Sequence, residues 1–213
     1  MKRLVRLGKY LIGKERYIIR YDYQGRVNKM EVWTDTDYAG CKETRKSTSG
    51  GITMIGRHAI KFWSSTQKVI ALSSGEAEYY GVVRGSAEGI GTKSIAGDMG
   101  INLGIRIKED SSAAKGIAHR TGLGKVRHIE VNQLWVQEKV RNKEIEVVKV
   151  NGIDNIADAL TKNLDTKDLM KHVKNCENYI GIGRHRIMPE TTRNNDGDEF
   201  SYDIYEDDLE EPN

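Results

Sequence analysis

Four acidic residues lie where predicted strands end or predicted helices begin, and carboxylates grouped in this way can bind divalent metal ions. Asp35 and Asp110 each follow a predicted strand, Glu78 lies in the first turn of a predicted long helix, and Asp158 lies in a predicted short helix. Strand ends and facing helix starts converge on one edge of a mixed α/β sheet. We therefore expect the four side chains to lie together at that edge.

Four neighbouring carboxylates repel one another unless cations neutralise them, and oxygen ligands of this kind suit Mg²⁺ or Mn²⁺ rather than zinc. Two such ions about 3.5–4 Å apart can activate a water molecule and stabilise the leaving oxygen in phosphodiester hydrolysis. The chain contains 31 Asp and Glu residues, so solvated carboxylates or helix caps are the ordinary explanation for any four of them. Spacing alone leaves both interpretations open.

The hydropathy pattern places these acids on an ordered series of elements. β-branched and aromatic runs predict strands, and Gly56-Arg57 is a two-residue connection typical of a β-hairpin. The predicted strands are Tyr17–Tyr23, Lys29–Thr34, Gly50–Ile55, His58–Trp63, Ile105–Lys108 and Ile145–Val150. The predicted helices are Lys2–Glu15, Ser74–Met99, Ser111–Ala118, Ile129–Val140, Asn155–Thr161 and Lys167–Cys176. Strands that first cluster and then alternate with helices predict a mixed sheet with helices on its faces.

The long predicted helix carries three glycines, Gly81, Gly85 and Gly89, spaced four residues apart on one face. Each costs about 1 kcal/mol relative to Ala in a helix interior. Close packing of this face against a sheet would explain them, and a poorly formed helix is the alternative.

The net charge of +3 hides an uneven distribution. The last eighteen residues, 196–213, contain nine carboxylates and no Lys or Arg, which leaves residues 1–195 with 34 basic and 22 acidic residues, a net charge of +12. A basic body with an acidic tail favours a polyanionic partner such as nucleic acid. A merely solvated basic surface is the rival interpretation.

The composition excludes several classes of protein. With 213 residues, 38% of them hydrophobic, the chain can form one core with appendages. It has no run of eighteen apolar residues and no apolar stretch at its basic N-terminus, which speaks against a membrane span and a secretory signal. Cys41 and Cys176 cannot form a disulfide framework. A reducing environment, cytosolic or nuclear, fits best.

Several short segments around the acids form distinctive sequence motifs. They are Trp33–Cys41 with Arg45–Gly51, Trp63–Lys68, Ala71–Tyr79, Arg127–Val131, Val136–Glu146 and Asn155–Lys162. Together these motifs resemble the ribonuclease H domain of Ty1/copia-type retrotransposon Pol polyproteins. The resemblance runs in order from about Met1 to Ile182, and six collinear motifs are far more specific than any one of them.

The resemblance implies an α/β protein with a ribonuclease H-like fold. This is a five-stranded mixed sheet, an antiparallel meander followed by parallel strands, with helices on both faces. Residues 1–28 would be a linker helix and strand from a preceding reverse transcriptase or connection region, and residues 29–182 the ribonuclease H-like domain. Residues 183–213 would be an acidic disordered tail, because they have too little apolar content to fold alone.

The resemblance also implies metal-dependent hydrolysis of the RNA strand of RNA–DNA hybrids during reverse transcription. Asp35, Glu78, Asp110 and Asp158 match the catalytic residues that hold two Mg²⁺ ions, or Mn²⁺, with Asp35 contacting both. RNA selectivity would come from contacts to 2′-hydroxyls. Candidate phosphate or sugar contacts, for each of which a solvated surface position is an equal alternative, are Arg45, Lys46, Ser47, Lys68, Lys125 and Arg127.

Some positions depart from the family pattern. Glu109 stands where the family usually has Cys, and Ser111 and Ser112 stand in place of two amides. No His precedes Asp158 in Val150–Asp154, so no residue is assigned to product release. A catalytically inactive or domesticated module that binds nucleic acid without cutting it is therefore the alternative function, and a connection domain without a site is a third.

The implied setting is a larger polyprotein. The resemblance predicts that the chain is a C-terminal fragment, with reverse transcriptase and other parts of the same polyprotein as partners and no membrane partner. It places the protein in the cytoplasm, in virus-like particles, or in the nucleus, and not among secreted proteins.

Overall fold

The computed structural model describes residues 2–12, 14, 16–124 and 129–181. The chain divides into two compact units. The larger spans Ile19–Tyr179, and the smaller comprises the described residues up to Ile18 together with Ile180 and Gly181. The predicted tail, residues 183–213, lies outside the described residues, and its boundary remains a prediction. None of the described helices has the length and apolar character needed to cross a membrane.

The described elements follow the predicted order with shifted ends. The strands are β1 (Arg16–Ile19), β2 (Lys29–Asp37), β3 (Thr48–Ile55), β4 (His58–Thr66), β5 (Gly104–Glu109), β6 (Ile145–Lys149) and β7 (Asn178–Gly181). The α-helices are α1 (Lys2–Leu11), α2 (Ser74–Asp98), α3 (Ser112–His119), α4 (Trp135–Arg141) and α5 (Thr166–Asn175). Short 3₁₀ helices occur at Val131–Gln133, Gly152–Asp154 and Ile156–Leu160.

The larger unit contains a five-stranded sheet in the order β4-β3-β2-β5-β6. Strands β2, β3 and β4 pair antiparallel, whereas β2 pairs parallel with β5 and β5 with β6. This is the predicted antiparallel meander followed by parallel strands, so the ribonuclease H-like fold class is confirmed. Strands β1 and β7 form a separate two-stranded sheet.

Helix α2 packs very closely on the sheet, as its glycine pattern predicts. A Cβ atom built at Gly85 would lie 2.4 Å from the Cγ2 atom of Thr34, and one at Gly81 would lie 2.7 Å from the Oγ1 atom of Thr36. Helix packing therefore explains the glycines. The helix begins after Ser73, whose hydroxyl accepts a hydrogen bond from the Glu76 N–H (3.2 Å).

Hydrophobic side chains cover both faces of the sheet. On one face α2, α3 and α4 pack through residues such as Val82, Ile117 and Val136 against β2, β5 and β6. On the other face, a smaller cluster lies beneath the 3₁₀ helix Ile156–Leu160 and the end of α5; it comprises Ile52, Met54, Ala59, Ile156 and Cys176. The predicted helices on both faces are thus present.

Three predicted elements are wrong in extent or type. The strand predicted over Tyr17–Tyr23 ends at Ile19, and Tyr23 beyond it is 94% exposed. The helix predicted over Ile129–Val140 is instead a 3₁₀ helix at Val131–Gln133 followed by α4, and the Gln133 carbonyl at the end of the 3₁₀ helix accepts a hydrogen bond from the Tyr79 hydroxyl at 2.9 Å. The helix predicted over Asn155–Thr161 is a 3₁₀ helix, capped by the Asn155 side chain.

Candidate active site

Three aspartates from distant parts of the chain meet at one edge of the sheet. Carboxylate oxygens of Asp35, Asp110 and Asp158 all lie within 4.8 Å of one another. Asp35 is fully buried inside β2, so the prediction that it follows the strand is wrong. The strand continues to Asp37 because residues 35–37 pair with Gly50, Ser49 and Thr48 of β3.

A second acidic group overlaps the first. Oxygens of Glu78, Glu109 and Asp110 also lie within 4.8 Å of one another. Glu78 lies in the second turn of α2 rather than in the first, because the helix begins at Ser74. Asp110 directly follows β5, as predicted, and belongs to both groups. The structure thus brings the four predicted carboxylates together and adds Glu109 to them.

Glu109 is a fully buried carboxylate at the end of β5. It accepts hydrogen bonds from the Thr34 hydroxyl (2.8 Å) and from the Ser111 N–H (3.0 Å). Burial raises its pKa well above the usual value, and the charge of Glu78 adds to the effect. Two neutral donors compensate a buried carboxylate only in part.

Burial also shifts the neighbouring acids. Burial, followed by the charges of Asp35 and Asp110, raises the pKa of Glu78 to about 8. Among the described residues, the Oε2 atom of Glu78 is buried without a hydrogen-bond partner. Burial raises the pKa of Asp158 to about 6, although the hydrogen bond from Lys162 acts in the opposite direction. The site therefore holds more negative charge than its surroundings compensate.

One ammonium group contacts this cluster. The Lys162 Nζ atom lies 3.1 Å from Asp35 Oδ1 and 2.9 Å from Asp158 Oδ1. The neighbouring Thr161 hydroxyl donates to Asp35 Oδ2. Both oxygens of Asp35 are thus engaged by side chains from the segment that carries Asp158.

A buried amide fixes that segment to the sheet. The Asn155 side chain donates to the Thr34 carbonyl (2.9 Å) and accepts from the Ala157 N–H (3.2 Å). Asn155 has no exposed surface. This residue therefore connects the strand that carries Asp35 to the 3₁₀ helix that carries Asp158.

The predicted nucleic-acid contacts occupy different environments. Arg45 and Lys68 are exposed and Lys46 is half-buried. Ser47 is fully buried, and its hydroxyl accepts a hydrogen bond from the Ala39 N–H at 3.0 Å. Ser47 therefore holds the loop before it through this hydrogen bond, and its hydroxyl is not exposed for contact with a nucleic acid. Lys125, Arg127 and the neighbouring His128 lie outside the described residues.

Lys68 lines a cavity of about 700 Å³, and none of the five clustered carboxylates lines it. Arg84 of α2, which the sequence reasoning missed, lines the same cavity. The cavity lies between the end of β4, one face of α2 and the segment from Glu130 to Trp135. Arg84 pairs with Glu88 at 2.8 Å, and Glu130 also lines the cavity, so Lys68 is an exposed cation that the cavity offers to an anion.

Four residues that belong to the acidic cluster or support it were not predicted as site residues: Glu109, Asn155, Thr161 and Lys162. Glu109 carried a signal, since Ile105, Ile107 and Glu109 alternate inward along β5, so an acid stands in an inward register. Lys162 lies four residues after Asp158, a spacing at which helical side chains meet. Nothing in the sequence around Asn155 shows that its side chain binds the Thr34 carbonyl of β2 in addition to capping the 3₁₀ helix.

The donor set fits hard divalent cations. All five acidic side chains of the two groups present carboxylate oxygens, and neither group contains a His or Cys ligand. Ligands of this kind suit Mg²⁺ and Mn²⁺. The buried, unpartnered oxygen of Glu78 is a further position at which a cation would supply a missing partner.

Curated sequence relatives of the chain include transposon polyproteins. No protein-family model matches the chain. It is 30% identical over 187 residues to the retrovirus-related Pol polyprotein from transposon RE1 of Arabidopsis thaliana, an alignment that covers 86% of this chain and 12% of the relative. It is 32% identical over 132 residues to that from transposon TNT 1-94 of Nicotiana tabacum, covering 61% of this chain and 10% of the relative. The chain thus spans about a tenth of the length of these curated relatives.

Solved structures with similarity to the chain include ribonucleases H. LC11-RNase H1, isolated from compost, aligns with 68% of this chain and 99% of its own at 16% identity, with a TM-score of 0.44. The N-terminal RNase H domain of a Mycobacterium tuberculosis protein aligns with 70% and 98%, at 18% identity and a TM-score of 0.42. A second structure of LC11-RNase H1 is a complex with an RNA/DNA hybrid. The assignment of the fold rests on the strand order of the sheet.

Proposed function

The chain is a homologue of the ribonuclease H segment of copia-type retrotransposon Pol polyproteins, and on this premise we propose that it hydrolyses the RNA strand of RNA–DNA hybrids with the help of divalent metal ions. The observation that carries the proposal is the pair of overlapping carboxylate groups that share Asp110. A structural or purely binding domain has no need to concentrate five carboxylates, two of them fully buried, at one edge of its sheet.

The carboxylates would divide between two ions, Mg²⁺ or Mn²⁺. Asp35, Asp110 and Asp158 would hold one ion, and Glu78 with Asp110 the other. When bound, the ions supply an activated water and stabilise negative charge on the leaving 3′-oxygen. The protein positions the ligands through β2, α2 and β5, rigid elements that maintain the short distances between carboxylates.

Substrate binding would use the basic surface next to the sheet. Lys68, which is exposed at the 700 Å³ cavity, is suited to contact a phosphate, and Arg84 beside it would have to share its contact with Glu88. RNA would be distinguished from DNA by its 2′-hydroxyls across the wide minor groove of the hybrid. We expect cleavage with little sequence preference, because phosphate and sugar contacts carry no base information.

Cleavage of a labelled RNA–DNA hybrid with and without Mg²⁺ tests the proposal. Asp35→Asn and Asp110→Asn should each lower the rate by about 100-fold or more, because each removes a charged metal ligand. Asp154→Asn is the matched control, since Asp154 belongs to the segment before Asp158 and its side chain is 64% exposed. Activity that survives both ligand substitutions, or that does not need a divalent ion, would disprove the assignment.

One observation favours the alternative of a module that binds hybrids without cutting. Glu109 adds a fifth carboxylate beside Asp110, where the resembling family usually has Cys. Its charge alters the site in a way that could remove turnover while leaving the basic surface intact. Hybrid binding by wild type without any Mg²⁺-dependent cleavage would favour this alternative.

The proposed setting is reverse transcription of a retrotransposon. The other parts of a Pol polyprotein, reverse transcriptase among them, would be the protein partners, and cytoplasmic virus-like particles or the nucleus the place of action. Co-purification of a tagged chain with the remaining polyprotein, followed by fractionation of expressing cells, tests both points.

A further inference from the structure

Lys162 occupies a position between two of the carboxylates proposed to bind metal. Its Nζ atom lies 3.1 Å from Asp35 Oδ1 and 2.9 Å from Asp158 Oδ1. Within the part of the chain that the structure describes, no other Lys or Arg forms an ion pair with Asp35, Glu78, Asp110 or Asp158. The Lys162 ammonium group therefore provides the positive charge that balances Asp35 and Asp158.

The hydrogen bonds leave Asp35 little free capacity. Its Oδ2 atom accepts from the Thr161 hydroxyl and its Oδ1 atom faces Lys162. A divalent cation held by Asp35 must compete for oxygen atoms that Thr161 and Lys162 already contact, and at Asp158 Lys162 contacts Oδ1. The Lys162 side chain is 43% exposed, and its four-carbon stem is flexible, so it is the group that can withdraw into solvent.

We propose that Lys162 is a built-in competitor of the metal ion, a tethered cation that neutralises Asp35 and Asp158 until a divalent ion displaces it. The inference rests on the proposed metal-dependent function. It assigns to Lys162 a role distinct from ligation or catalysis: it stabilises the protein without metal and weakens the affinity of the site for metal.

Lys162→Met tests this role, and Lys171→Met is its matched control. The Lys171 side chain is 44% exposed, donates to the Ile153 carbonyl at 3.1 Å and pairs only loosely with Asp154 at 3.9 Å. Both substitutions remove one positive charge from the same face of the protein. Isothermal titration calorimetry with MgCl₂ and with MnCl₂ measures the affinity for metal. Thermal melting in EDTA and in metal at about 10 mM, which favours occupancy of the site, measures stability.

Lys162→Met should raise the metal affinity by about tenfold or more relative to Lys171→Met, because a unit charge a few ångströms from a divalent ion acts strongly even near a protein surface. It should also melt at a lower temperature in EDTA and gain more from added metal. Lys162→Arg keeps the charge and should remain close to wild type in both measurements.

Equal or weaker metal affinity in Lys162→Met than in Lys171→Met would overturn the inference, and weaker affinity would mark Lys162 as a residue that positions Asp158. If wild type still cleaves hybrids in that case, the proposed function stands without the competitor. If neither wild type nor Lys162→Met binds metal, the competitor and the metal-dependent function fail together.

Discussion

At the scale of single residues, the unusual feature of the site is the amount of negative charge that it buries. Glu78 and Glu109 lie in a low-dielectric environment with few donors, and both have raised pKa values. A carboxylate whose ionisation is penalised in the folded state binds a proton more tightly there than in the unfolded chain. The stability of the protein without metal must therefore depend on pH.

We expect the melting temperature in EDTA to fall as the pH rises from 5 to 8. Because the pKa is raised to about 8 for Glu78 and to about 6 for Asp158, the folded state holds more protons than the unfolded state in this interval. The free energy of unfolding then decreases with pH. Mg²⁺ should reduce or reverse the slope, since it binds the ionised carboxylates. Calorimetry at pH 5, 6.5 and 8 checks this, and a melting temperature that rises with pH would contradict it.

Glu109→Gln is the control for this prediction. The amide can donate to the Thr34 oxygen, and the Thr34 hydroxyl can turn towards the Lys108 carbonyl at 3.5 Å. The variant should therefore resemble wild type at pH 5, melt at a higher temperature at pH 8 and show a smaller pH slope. An unchanged slope would mean that Glu109 does not ionise in this range.

At the scale of elements, the position of Glu78 depends on how closely α2 approaches the sheet. Gly85→Ala should destabilise the protein by about 1–3 kcal/mol, because a Cβ atom there would lie 2.4 Å from Thr34 Cγ2 and the packing cannot expand cheaply. Gly91→Ala in the same helix meets nothing within 4 Å and should stabilise it by about 0.5–1 kcal/mol. Urea denaturation measures both, and an equal effect of the two substitutions would exclude close packing as the reason for the glycines.

The connection made by Asn155 gives a second prediction at this scale. Asn155→Ala should cost about 1–3 kcal/mol because it leaves the buried Thr34 carbonyl and Ala157 N–H without their partner. It should also weaken metal binding, since Asp158 loses its link to the strand of Asp35. Asn151→Ala is the control: Asn151 is exposed and makes no capping hydrogen bond with its side chain. Denaturation and metal titration of both variants check the prediction.

Sequence reasoning recovered elements whose signals are local. The glycine pattern of α2 predicted its packing, and the β-hairpin at Gly56 was visible as a two-residue turn. The end of β2 was missed because Thr36 and Asp37 look polar, while their pairing with β3 depends on another segment. The contact of Lys162 with Asp35 joins residues far apart in the chain. Such contacts leave no local sequence pattern. The sequence therefore predicted the carboxylates but not Lys162, the cation that contacts Asp35.

At the scale of the whole molecule, the charge distribution predicts how salt would affect the proposed binding of a hybrid. Replacing the nine carboxylates of residues 196–213 by Asn and Gln at constant length should tighten hybrid binding severalfold at about 10 mM salt, because long-range repulsion is then removed from a body of charge +12. At about 0.5 M salt the difference should vanish. Fluorescence anisotropy with a labelled hybrid measures both conditions, and equal affinity at low salt would mean that the acidic segment does not influence binding.

Strands β1 and β7 come from opposite ends of the described chain, yet they pair with each other. In mechanical terms, this pairing joins the two end regions of the described chain by hydrogen bonds between strands. Tension applied at Arg16 and Gly181 would therefore act directly on those hydrogen bonds.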